Sequence, residues 1–203
     1  MARPMIQRLW LAWEALFRWC ARVHPLVEGE SHLFLVATRR YMGRPFTVDG
    51  VHVKRFERVI ELHFNNEMLL EVLQSEHKSL VGSTVKLLRE AKRSLPVLAA
   101  HLQSEKFQKE RVLYGVTFIH RGVQQFGFHV IPLNSQWIEQ MTTWHLRNIF
   151  KVVNPNAAQL LENHPDAFVP KLVAISKEQL LQRYLPVQTD VSQASDVPGH
   201  ATV

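Results

Sequence analysis

The sequence predicts an α+β fold: a single domain with a small mixed β-sheet flanked by helices, preceded by an N-terminal amphipathic helix. Three observations carry that prediction. Met5, Ile6, Leu9, Trp13, Leu16, Phe17, Cys20 and Val23 recur every three or four residues, the spacing of one helical face. From Ser31 to Phe64 the pattern changes to short β-rich runs punctuated by Val48-Asp49-Gly50. Beyond Ser79, helical and strand periods alternate to about Tyr184. A chain of 203 residues, 46% hydrophobic and 21% charged, has apolar material for one core, and no interior linker is long enough to divide it. The organisation expected is a basic, aromatic helix over 1–24, an α+β domain over 25–185 and a disordered polar tail over 186–203.

In the first segment Trp10 flanks the apolar stripe, and Arg8, Glu14, Arg18 and Arg22 lie off it, where Leu11 and Trp19 are the apolar exceptions. Pro25 ends the helix. Trp10, Leu11, Trp13, Phe17 and Trp19, with Arg18 and Arg22, are the candidate contacts for an anionic membrane surface or a protein partner. The same stripe has the width that packs on its own domain. Glu14 and Arg18 interrupt the apolar run, which argues against a signal peptide and against a helix that spans a bilayer. The single cysteine, Cys20, allows no intramolecular disulfide, so the expected location is the cytoplasm, peripheral to the inner membrane. A formal charge of +6 points to an anionic partner without choosing one.

HLFLVATRRYM reads as a strand, and VHVKRFERVIELHF follows Asp49-Gly50 as the return of a hairpin. A period of two over its last residues places Ile60, Leu62 and Phe64 on one face and Glu61 and His63 on the other. Asn65 or Asn66 caps the following helix, EMLLEVLQ. A longer helix is predicted from about Ser79 to Leu102, with Pro96 kinking it and Lys86, Arg89 and Arg93 on its outer face. Residues 111–133 are read as a strand to Phe118, a helix to Phe126, Gly127 as its cap and a strand FHVIPL. Ser135 to Val153 reads as a helix, KLVAIS as a strand, and Ser176 with Gln179 as the capping box of a last helix.

Eleven histidines raise the question of a metal, but no HExxH, HxH or paired CxxC occurs, so no metal site and no cofactor are predicted. GxSxG, GxGxxG and the P-loop pattern are also missing. The most site-like group is Glu61, His63, Asn65 and Asn66 at a strand end, where an imidazole and amides can converge on a ligand. The structural alternative is that His63 covers the sheet while an asparagine caps the helix. Arg39, Arg40 and Tyr41 close the earlier strand and Arg121 precedes the turn at Gly127, which makes them candidate anion contacts or a solvated edge. The five tryptophans fall on predicted helices instead of a basic sheet face, which makes nucleic-acid binding an unlikely partner class.

Several of these positions also carry a resemblance. Arg40-Tyr41 followed by Gly43, then Gly50, Val59, Glu61, Leu62, His63 and Asn66, the helical Ser94, Leu95, Leu98 and Ala99, and Arg121-Gly122 before Gly127-Phe128 resemble the YkoP-like proteins, a group also found attached to some bacterial polysaccharide deacetylases. The resemblance runs from the first helix to about Leu133, and it departs where Phe56 and Glu57 replace a Gly-Asp turn. It implies an uncharacterised accessory or binding module in cell-envelope polysaccharide or lipid metabolism, by association only. A second, weaker resemblance is to GNAT-type acyltransferases using an acyl-CoA. It rests on the order strand, helix, strand, helix, Gly127-Phe128, strand, and on Gly82, Ser83 and Thr84, whose helix-start amides could hold a pyrophosphate. The glycine-rich signature of that class is reduced here to one residue. A nucleic-acid role rests on charge alone.

Overall fold

The computed structural model describes residues 24–75, 80–118, 120–133 and 169–186, with 139, 140, 142–144, 147, 148, 151, 159, 161 and 162. The amphipathic helix expected before His24 and the tail expected after 186 lie outside the described residues, as do 135–138, 141, 145, 146, 149, 150, 152 and 153 of the helix expected over 135–153.

Five strands come first: β1 (His24–Pro25), β2 (Phe34–Arg40), β3 (Phe46–Val48), β4 (Val51–Val53) and β5 (Arg58–Phe64). Helices α1 (Asn66–Ser75) and α2 (Leu80–Leu102) follow, then a 3-10 turn at Glu105–Phe107. β6 (Val112–Thr117), a second 3-10 turn at Val123–Phe126, β7 (His129–Ile131), β8 (Lys171–Ser176) and α3 (Lys177–Tyr184) complete the order. Six strands form one mixed sheet in the order β1-β2-β5-β6-β8-β7, and β3 with β4 forms a separate hairpin. Among the described residues only β5 and β6 run parallel, which is why the two helices lie between them in sequence: a parallel return needs a crossover. β8 is inserted between β6 and β7 and pairs antiparallel with both. The fold is therefore α+β with a mixed sheet, as the patterning predicts.

The sheet has two differently covered faces. On one, Phe34, Val36, Ile60, Leu113, Val173 and Ile175 pack with Leu87, Leu95, Leu98, Ala99 and Leu102 of α2 and Leu180 of α3. The α2 residues recur at i, i+3, i+4 and i+7, so one stripe of the helix is buried. Ser94 sits in that stripe, and its Oγ accepts the Leu33 amide at 3.1 Å, fixing α2 to the start of β2. Pro96 lies on the exposed side of a continuous α2, where its missing amide leaves a carbonyl to solvent. On the other face the β3–β4 hairpin packs Val48, Val51 and Val53 over Val59, Val112, Leu172 and Ala174, with Tyr41.

The hairpin is pinned at its tip. Asp49 and Gly50 both have positive φ, 48° and 76°, as a two-residue turn with the twist of the strands requires. Asp49 Oδ2 accepts the Ser176 amide at 2.8 Å, and Oδ1 accepts His129 Nε2 at 2.7 Å. Ser176 Oγ in turn accepts the Gln179 amide at 3.1 Å, capping α3 as its sequence predicts. One carboxylate thus joins the hairpin, β7 and the β8–α3 junction.

Two expectations need correction. The run from Val51 to Phe64 is not one strand: Phe56, at φ 68°, breaks it, so β4 pairs with β3 in the hairpin while β5 joins the sheet. The helix expected to end at Phe126 is a four-residue 3-10 turn, because Gly122 and Gly127 are both left-handed and bracket it closely. Gly127 does cap it, and its amide reaches Gln124 O at 2.9 Å.

Burial raises the Asp49 pKa, but the Ser176 amide and His129 outweigh it and hold the carboxyl below its usual range. A depressed carboxyl contributes stability above its unfolded pKa and loses it as pH falls through the folded one. Asp49→Asn, which keeps a residue tolerant of positive φ, is expected to lose about 1.5–3 kcal/mol at pH 7. In urea unfolding that deficit should shrink as the pH is taken below about 4; a deficit unchanged by acid would contradict this role of the charge.

Candidate functional site

β2 and β5 pair along their whole length, with Leu35 opposite His63, Ala37 opposite Glu61 and Arg39 opposite Val59. Alternation then puts Arg39, Glu61 and His63 on the hairpin side of the sheet, away from the helices. β6 brings Tyr114 directly opposite Glu61. These four side chains form a connected polar cluster. Arg39 Nε and His63 Nε2 each lie 3.3 Å from the same oxygen, Glu61 Oε2. Tyr114 makes a side-chain hydrogen bond to Glu61. Tyr41 stands edge-on to the Tyr114 ring, 5.4 Å between centroids, and edge-on to Phe46 at 5.1 Å, so an aromatic row borders the cluster.

The electrostatics follow from that packing. Burial pushes the Glu61 carboxyl up, but His63, Arg39 and Tyr114 more than offset it and hold the group below the usual carboxylate range. Burial first, then the Glu61 charge, drives the Tyr114 phenol far above its ordinary value. The cluster is therefore a carboxylate facing an arginine, a histidine and a neutral phenol. Nε2 of His63 is buried and lacks a well-aligned hydrogen bond, so its link to Glu61 is a 3.3 Å polar contact.

The cluster sits where two parallel strands stop pairing. The β5–β6 ladder consists of Ile60 with Leu113 and Glu61 with Tyr114, although β5 continues to Phe64 and β6 to Thr117. Gly115 marks the last close approach: a Cβ on it would lie 2.9 Å from the Leu62 carbonyl oxygen. Only glycine fits there without moving backbone.

Of the residues singled out from sequence, Glu61 and His63 are together, and Tyr41 borders them. Asn66 opens α1, and the cap before it is Asn65, whose Oδ1 accepts the Glu67 amide at 3.2 Å. Arg40 alternates away from Arg39, is exposed, and donates to Phe56 O at 3.3 Å. Arg121 is exposed in the turn before Val123. Gly82 is the third residue of α2. Tyr114 and Gly115 join the cluster from outside the group expected from sequence, and Arg39 belongs to it instead of to a solvated strand edge. The signal for them was the odd-even alternation in FLVATRR and VLYGVT, which becomes usable only once the register with β5 is known.

The family model for the YkoP domain matches residues 3–184. The chain belongs to the YkoP domain family. It is also similar to a Bacillus subtilis (strain 168) protein named uncharacterized protein YkoP, at 24% identity over 179 residues that cover 87% of this chain and 94% of that one. No solved structure matches significantly. In this YkoP domain many of the residues that carried the resemblance have structural duties. Ser94, Leu95, Leu98 and Ala99 are the buried stripe of α2, Gly50 and Gly127 occupy left-handed positions, and a Cβ at Gly43 would run into the Tyr41 ring. Glu61 and His63 stand apart from these as half-buried polar groups.

Replacing Glu61 by glutamine removes the charge that helps keep the Tyr114 phenol protonated. Spectrophotometric titration of the tyrosines in Glu61→Gln should show one phenol moving to lower pKa relative to the parent protein, with the others unmoved. An unchanged titration curve would mean that Glu61 and Tyr114 are not coupled.

Proposed function

We propose that this YkoP domain binds an acyl thioester at the parting of β5 and β6 and acts as a GNAT-like acyltransferase. The observation that carries the reading is the early end of the β5–β6 ladder beside Glu61 and His63. Leu62, His63 and Phe64 extend past the last paired residue of β6, so a strand edge is available to the amides of a pantetheine arm, which can add to it as an extended chain does. The sheet order, with a parallel pair bridged by helices and a later strand inserted between β6 and β7, supports the same reading at the level of topology.

The chemistry assigned to the cluster is acid–base. Glu61 holds Nε2 of His63, which leaves Nδ1 to take the proton of an acceptor amine or hydroxyl as it attacks the thioester carbonyl. The C–S bond breaks, and the imidazolium returns the proton to the departing thiolate. The depressed pKa of Glu61 makes it a weak base itself and suits it to orienting the imidazole. Calorimetric titration with coenzyme A should give a saturable signal, and His63→Ala should retain it while losing acyl transfer to an added amine. Absence of any heat at about millimolar coenzyme A would rule the reading out.

A second reading is an accessory module at the cytoplasmic face of the membrane, in cell-envelope polysaccharide or lipid metabolism. It is favoured by the start of the family match at residue 3, which includes the basic, tryptophan-rich residues in the domain. Full-length protein should sediment with anionic vesicles more than a chain lacking residues 1–24. Equal, negligible sedimentation of both would remove this reading.

A further inference from the structure

At the end of β2 the chain makes two tight turns that are tied to each other. Phe56 N donates to Tyr41 O at 2.6 Å, Tyr41 N donates to Glu57 O at 2.8 Å, and Arg40 Nη1 donates to Phe56 O at 3.3 Å. These bonds hold Phe56 at φ 68°, a left-handed conformation that bulky side chains rarely adopt. A glycine would meet the same backbone demand without strain. The Phe56 ring gives the fold little in return: it is 49% exposed and joins neither apolar cluster. Beside it, Met42 is 59% exposed.

The rim of these two apolar residues is basic. Arg40, Arg44, Lys54 and Arg55 are all exposed. The carboxylate of this turn, Glu57, is committed to the Lys54 amide at 2.8 Å. Arg58, next along the chain, is neutralised by the fully buried Glu110 at 2.8 Å. An exposed aromatic and a methionine at a turn, ringed by cations, have the composition that enters a headgroup layer.

We propose that the Tyr41–Pro45 and Lys54–Glu57 turns form a docking tip for an anionic phospholipid bilayer. Phe56 and Met42 enter the boundary between headgroups and acyl chains, and Arg40, Arg44, Lys54 and Arg55 meet the lipid phosphates. Charge complementarity selects the anionic lipid. Base stacking is disfavoured because the Arg55 guanidinium lies over the Phe56 ring, 4.8 Å from its centroid, and covers one face. The surface shares no residue with 5–23 or with the Glu61–His63 cluster, so it stands whether or not those readings hold.

The test is co-sedimentation of the full chain with phosphatidylcholine vesicles containing about one third phosphatidylglycerol, against vesicles of phosphatidylcholine alone. Phe56→Gly is the informative variant: relief of strain should raise its thermal midpoint while its partitioning to anionic vesicles falls about ten-fold. Arg44→Gln with Arg55→Gln should lower binding to anionic vesicles and lose the preference over neutral ones. Equal partitioning of Phe56→Gly and the parent would overturn the proposal and leave any binding to residues 5–23. A lowered midpoint in Phe56→Gly would overturn it too, by giving the ring a role in the fold. So would a parent chain that ignores anionic vesicles or binds neutral ones equally well.

Discussion

The close approach of Gly115 to the Leu62 carbonyl is the constraint on which the rest of the site depends. It lets β5 and β6 meet at Ile60–Leu113 and Glu61–Tyr114, and it marks the point beyond which their ladder does not continue. Because the meeting is parallel, the chain has to spend two helices returning to the same end of the sheet, and these supply the cover for one face. Tyr114 is carried opposite Glu61 by that pairing alone. A larger residue at 115 would collide with backbone, not with a side-chain tip that can swing away.

The two faces of the sheet then divide the chemistry. The helix side is closed by a largely apolar layer from Leu33 to Leu180, with Ser94 buried in it. Arg39, Glu61 and His63 point the other way, toward a face that the short hairpin covers only in part. There, Arg39, His63 and Tyr114 gather around the Glu61 carboxylate while Arg39, Glu61 and His63 stay partly open to solvent. Mutual pairing is the condition under which such groups remain ionised when half-buried.

What could be read from sequence was what is local. The period of two across Arg58–Phe64 put Glu61 and His63 on the same face, the stripe through Leu95, Leu98 and Leu102 announced α2, and Ser176 with Gln179 announced α3. Tyr114 could not be joined to Glu61 because strand register between distant segments is a tertiary property, not a local pattern. The break between β4 and β5 was hidden for a related reason: a phenylalanine gives no sign of a left-handed turn, and only the surrounding hydrogen bonds impose one. The helical spacing that ends in Val123–Phe126 is real, but two flanking left-handed glycines cut the element to a 3-10 turn.

The insertion of β8 between β6 and β7, together with the bond from Ser176 to Asp49 across 127 residues, bears on the order of assembly. During synthesis the hairpin and β5 leave the ribosome long before the strand that completes their sheet. Until residue 176 has emerged, β6 lacks its antiparallel neighbour and the hairpin tip lacks its anchor. Contacts of such long range are slow to form and leave strand edges open in the interval. The nascent chain therefore has to hold an unfinished sheet in solution, and the late arrival of six residues, Lys171–Ser176, closes it.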